Sequence, residues 1–99
     1  MKVFLDDIRL PSKIYGNEQD WTLVTTVAET IELLKTGLVT EISLDHDLGT
    51  TDPDHTGYDV ILWMEENNIW PEYCHVHSAN PIAAQKMVAA IQKHLREKE

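Results

Sequence analysis

Four short apolar runs, three of them ending in carboxylates or imidazoles, constrain this chain more than any other feature. KVFL (2–5) runs into Asp6 and Asp7, EISL (41–44) into Asp45, His46 and Asp47, and the run EYCHVHSA (72–79) carries His77 and Ser78 at its end. WTLVTT (21–26), rich in β-branched residues, supplies another strand. Helix signals separate the runs. Thr26 and Glu29 form a T-x-x-E capping box that predicts a helix of about eleven residues, with Val27, Ile31 and Leu34 on one face and Gly37 as its stop. Thr56 and Asp59 predict a second start, followed by Val60, Ile61, Trp63 and Met64 and ended by Asn67 and Asn68. Asn80 before Pro81 predicts a third, with Ala84, Met87, Val88, Ile91 and Leu95 as its apolar stripe. IRLPSKIYGNEQD (8–20) has Pro11, Gly16, Asn17 and Asp20 but no period, and reads as a loop.

Strand, strand, helix, strand, helix, strand, helix is an α/β order, and right-handed crossovers make the sheet mostly parallel. Ligands of such sheets sit beyond the C-terminal strand ends. Asp6 and Asp7, Asp45 to Asp47, and His77 with Ser78 all fall at that edge, so three segments converge. Like charges this close repel, so folding alone does not favour them. Oxygen donors of this kind suit a hard divalent cation, Mg²⁺ or Mn²⁺, with Asp6, Asp7, Asp45 and Asp47 as candidate ligands. Asp47 joins because alternation in an extended segment points it with Asp45.

The 99 residues fit one domain spanning 1–99, and the net charge of −9 argues against an extended nucleic-acid footprint while leaving a single phosphate at a strand end open. Cys74 is the one cysteine, MKVFL is too short for a signal-peptide core, and no run approaches the ~20 apolar residues of a membrane span, so the expected setting is the reducing cytoplasm, away from membranes.

Two acids after the first strand and one ending the third resemble the magnesium pocket of receiver domains in bacterial phosphorelays. DDIRLP, SLDHDLG, TGYDV with LWMEE, and HVHSANP together resemble more closely the cyclic-phosphate processing receiver-like family, over Met1 to about Ile91. The resemblance implies a small flavodoxin-like, three-layer fold of about four strands. Against an ordinary receiver, a loop replaces the first helix, and the fifth strand with its lysine is missing. It implies a phosphoesterase acting on 2′,3′-cyclic phosphate ends of RNA or on nucleotides.

Within that reading His46 and His77 are candidates for the acid and base, beside a catalytic Asp45, and both are expected to face one crevice. Arg9 suits bidentate phosphate binding, Ser78 offers a hydroxyl, and Asn80 opens a helix whose backbone N–H groups can receive an anion. His75, two residues before His77, is as well explained by packing as by ligation. Asp52, Asp54 and His55 read as a solvated loop, and Trp21, Trp63 and Trp70 as packing. The competing readings are a receiver in which Asp45 accepts a phosphoryl group, and a metal- or nucleotide-binding module without catalysis. Oligomeric state is not legible.

Overall fold

A computed structural model describes residues 1–15 and 20–98, the side chains of 12 and 13 excepted; Gly16 and Asn17 of the expected loop lie outside the described residues. The strands are β1 (Lys2–Leu5), β2 (Trp21–Val24), β3 (Glu41–Leu44) and β4 (Tyr73–Val76). They form one sheet in the order β2-β1-β3-β4, every pair parallel. The helices are α1 (Pro11–Tyr15), α2 (Val27–Leu34), α3 (Gly57–Asn67) and α4 (Pro81–Lys98). This is the α/β, receiver-like arrangement expected.

Two details differ. The segment expected to be all loop contains α1, a little over one turn; Pro11 supplies its fixed φ at the first helical position, where a missing N–H costs nothing. The α4 stripe is also rotated. Ala83, Met87 and Ile91 are buried, while Val88 and Leu95 are 38% and 48% exposed, so the buried line follows the strict i, i+4 spacing instead.

The caps act where their sequences place them. Thr26 Oγ1 accepts the Glu29 N–H at 3.2 Å and donates to Glu29 Oε1 at 2.9 Å. Thr56 and Asp59 form a reciprocal capping box, with the Thr56 N–H donating to Asp59 Oδ2 at 2.9 Å. Asn68, in the left-handed conformation at φ 52°, ends α3 as an asparagine can without the strain of a branched residue. α2 is shorter than expected at eight residues, and Gly37, at φ +75°, lies just beyond its end.

Strand alternation sorts the two sheet faces. Val3, Leu5, Ile42 and Leu44 are all fully buried and join Val27, Leu34, Val60, Ile61, Met64, Met87 and Ile91 from the three longer helices. At ~1.5–3 kcal/mol for each large apolar side chain removed from water, this face dominates stability. The opposite face carries an aromatic cluster instead. Phe4 meets Tyr15 and Trp21 edge-on, and Tyr15 stacks on Trp21 at 5.2 Å between centroids. The strands stop level with one another, Leu5 beside Val24 and Leu44, and Leu44 beside Val76. The residues that follow therefore share one rim.

Candidate functional site

Asp6, the first residue past β1, is buried yet carries a carboxylate with four hydrogen bonds. Oδ1 accepts from the Ile8 and Arg9 backbone N–H groups, both at 2.9 Å, and Oδ2 meets Arg9 Nε at 3.0 Å and His77 Nε2 at 3.1 Å. Burial alone would raise its pKa, but the two backbone donors and the charge on Arg9 hold it below the ordinary carboxylate value. Arg9 reaches further. Its Nη2 donates to Asp45 Oδ1 at 3.2 Å and to the His77 carbonyl at 2.9 Å, tying the ends of β1, β3 and β4 together.

Asp45 has the opposite balance. Burial first, then the neighbouring charge on Asp6, raise its pKa from 3.8 to about 6, although the His46 N–H and Arg9 act against the shift. Asp7 completes the group. One oxygen from each of Asp6, Asp7 and Asp45 lies within 4.8 Å of the others. Among the described residues neither Asp7 nor Asp45 Oδ2 has a hydrogen-bond donor, so these oxygens stay open. The three acids line a groove of about 320 Å³ with Arg9, Asp47, Gly49 and Ala79. A hard, all-oxygen donor set with an unmet proton affinity fits a divalent cation, and Asp6, Asp7 and Asp45 are the residues that would hold it. Gly49 leaves the room. A Cβ built there would lie 2.6 Å from Asp7 Oδ2.

The expected fourth ligand, Asp47, lines the groove but stands outside this set. Its carboxylate is 67% exposed and accepts from His46 Nδ1 at 2.7 Å. That bond orients the imidazole and leaves Nε2 as its open nitrogen. His46 lines a second groove of about 300 Å³ with Tyr58, Asn80, Ile82, Ala83 and Lys86.

The expectation that His46 and His77 face one crevice is not met. The His77 side chain is 2% exposed and lies flat on Phe4, with ring centroids 4.3 Å apart. Strand alternation explains this, since His77 continues the face that holds Phe4, Ser43 and His75, the face away from α2, α3 and α4. Its Nδ1 meets Ser43 Oγ at 2.6 Å, and Ser43 Oγ meets the Tyr15 hydroxyl at 2.7 Å. With Nε2–H donating to Asp6, the consistent pattern runs Tyr15 to Ser43 to His77 to Asp6. Burial, reinforced by Arg9, lowers the His77 pKa to about 4 against the pull of Asp6, so the ring is neutral. Ser43 and Tyr15 were not among the sequence candidates; the alternation that aligns Ser43 with His77 was the available signal.

The remaining candidates have local duties. Ser78 Oγ accepts the Asn80 N–H at 3.1 Å, and Asn80 Oδ1 accepts the Ala83 N–H at 3.1 Å, capping α4. His75 pairs with Glu41 at 2.8 Å. Asp52 meets the Val27 N–H at 2.8 Å and His55 at 2.8 Å, pinning the β3–α3 loop onto the start of α2. Burial pushes the Cys74 thiol up to about 11, which makes it inert.

A pH dependence follows for the cation-free protein. The folded state keeps the Asp45 proton up to about pH 6 while the unfolded chain releases it near 3.8, so this group's contribution falls as pH rises through that window. His77 runs the other way. Its contribution is whole above the ordinary value of 6.5 and is lost as pH falls toward about 4. In wild type the two slopes nearly cancel. His77→Gln is expected to expose the Asp45 slope, losing roughly 2 kcal/mol between pH 4 and pH 6. Asp45→Asn is expected to lose stability in the acid direction instead. Urea unfolding in EDTA at each pH reads both, and parallel profiles for the two variants would refute the assignment.

A four-strand parallel sheet with an acid-lined C-terminal rim defines a receiver-like fold. The model of the cyclic-phosphate processing receiver domain matches residues 1–93, and the chain belongs to that family. No curated protein and no solved structure matches it. Among the described residues no helix is long and apolar enough to cross a membrane.

Proposed function

We propose that this domain is a phosphoesterase that opens cyclic phosphates, on RNA ends or nucleotides, with Mg²⁺ or Mn²⁺ held by Asp6, Asp7 and Asp45. The observation that carries this reading is the three-carboxylate group on the rim of a domain of this family, with two of its acids buried. Bound there, the ion would supply positive charge to the phosphoryl oxygens as negative charge develops on them.

The chain's own groups divide the rest. His46, oriented by Asp47 and open at Nε2, moves the proton between water and the released ribose hydroxyl. The Ser78 hydroxyl, which accepts from Asn80, keeps its own hydrogen for a phosphate oxygen. Arg9 adds charge at the same rim. His77 is a positioning residue: shut away from solvent, it holds Asp6 in place and touches no substrate. Asn80 serves as the α4 cap.

The test is incubation with 2′,3′-cyclic mononucleotides and cyclic-phosphate-ended RNA, in Mg²⁺, Mn²⁺ or EDTA, following the appearance of the ring-opened monoester. Cation-dependent opening is expected. No turnover of any of these substrates with either ion would leave a binding module, and a stable phosphoryl group on Asp45 would indicate a receiver. Independently of turnover, millimolar Mg²⁺ or Mn²⁺ is expected to raise the melting temperature by a few degrees through mass action. An unchanged melting curve in both ions would remove the cation from the proposal.

A further inference from the structure

In the second groove Asn80 caps α4 and Ala83 and Tyr58 pack on the core, but folding does not account for the exposed Ile82 and Lys86 beside them. Its residues come from three places: His46 after β3, Tyr58 in the first turn of α3, and Asn80, Ile82, Ala83 and Lys86 at the start of α4. It shares a rim with the acid groove, because His46 stands between Asp45 and Asp47 and Asn80 follows Ala79. At about 300 Å³ it is at the lower end of the usual range for small-molecule sites.

Its lining combines an apolar floor with a cation. Ile82 is 74% exposed and offers an apolar surface at the groove's edge. Tyr58 is half-buried beside it. Lys86 is exposed and forms no ion pair among the described residues. Its helical neighbours at positions 82, 83, 89 and 90 are Ile and Ala, so its own helix provides no acid. Lys35 and Lys93, by contrast, each pair with a glutamate on their own helix. In a chain of net charge −9, a lysine that forms no ion pair among the described residues, at the mouth of a half-apolar groove, matches an anionic ligand with a flat ring.

We infer that this groove is the nucleoside subsite of the same active centre. The base of the terminal nucleotide lies against Tyr58, Ile82 and Ala83, and Lys86 meets the next phosphate of an RNA chain. The preferred substrate is therefore an RNA end, ahead of a free cyclic mononucleotide. This rests on the phosphoesterase reading for its chemistry, though the binding it asserts is measurable without turnover.

The probes are ring-opened compounds: adenosine 3′-monophosphate and the adenylyl dinucleotide bearing a 3′-phosphate, each titrated in Mg²⁺ and followed by NMR and calorimetry. Shifts are expected at His46, Tyr58, Ile82 and Lys86, with the dinucleotide binding more tightly. Ile82→Asp is expected to weaken both ligands roughly tenfold, the scale of losing one base contact. Lys86→Glu is expected to weaken the dinucleotide selectively and to reduce the slope of log affinity against log salt by about 0.7, one single-strand phosphate contact. Both side chains are exposed, so the variants keep their fold.

Equal losses for the two ligands in Lys86→Glu, or shifts confined to the acid groove, would overturn the subsite. So would an absence of binding. Groove binding without any ring opening would sink the phosphoesterase reading and leave the subsite standing. Ring opening indifferent to both variants would do the reverse.

Discussion

Replacing Arg9 with alanine is expected to lower the unfolding free energy in EDTA by roughly 3 kcal/mol, the low end for breaking a buried ion pair, because the guanidinium is itself 32% exposed. The side chains it leaves are 1% exposed at Asp6 and 7% at Asp45, so water entering the vacated rim replaces the guanidinium only in part. Arg9→Lys is expected to fall between, since one ammonium cannot span Asp6, Asp45 and the His77 carbonyl as Nε and Nη2 do together. Asp6 already accepts four hydrogen bonds, the full capacity of a carboxylate. A cation drawing on Asp6 therefore competes with Arg9. The Arg9→Ala variant should accordingly gain more from Mg²⁺ than wild type does. Urea unfolding with and without Mg²⁺ reads both effects. Wild-type stability in EDTA would show that the guanidinium bears no structural burden.

Gly57→Ala is expected to do comparable damage for a steric reason. An added Cβ at Gly57 would stand 1.7 Å from the Asp45 carbonyl oxygen, against backbone that has no rotamer to turn. The first turn of α3 must retreat, and the 3.0 Å bond from the Gly57 N–H to the His46 carbonyl goes with it. A loss of about 3 kcal/mol is expected, the upper part of the usual range for overpacking. Because both Asp45 and His46 are held by this contact, ring opening should fall ~10²-fold in the fraction that still folds, as a misplacement near 1 Å produces. Gly49→Ala makes the informative contrast. There the obstacle is the mobile end of Asp7, although φ of +56° adds strain, so the expected defect lies more in cation affinity than in folding. Should Gly57→Ala unfold at the wild-type urea concentration, α3 does not approach Asp45 this closely.

The elements written in local chemistry were legible in the sequence. Thr26 with Glu29, Thr56 with Asp59, and Asn80 before Pro81 each bond within three residues, so spacing alone reveals them. The strands were legible because their core residues alternate and their ends change abruptly from apolar to charged. α1 was not, since five residues are too few to display a period. The acids of the rim were legible as a group, but their partners were not. Arg9 binds Asp45 across 36 residues and the His77 carbonyl across 68, contacts no window of sequence contains. The position of His77 along the strand points to the crevice, but the parity it shares with Ser43 sends it to the aromatic face instead. Gly57 gives no local sign of its role either. Only the approach of α3 to β3 makes a hydrogen the largest group that fits.

The level register of the four strands makes this fold intolerant of one kind of error. Lys2, Trp21, Glu41 and Tyr73 start in line, so Asp6, Asp45 and His77 come out in line. Were β3 to slip by one residue against β1, Ile42 and Leu44 would exchange faces with Ser43, and Asp45 would leave the rim in the same step. A molecule misregistered at β3 thus loses its core and its chemistry together. Quality control that removes chains with exposed apolar faces would, in this protein, also remove every copy whose site was lost through a slipped strand.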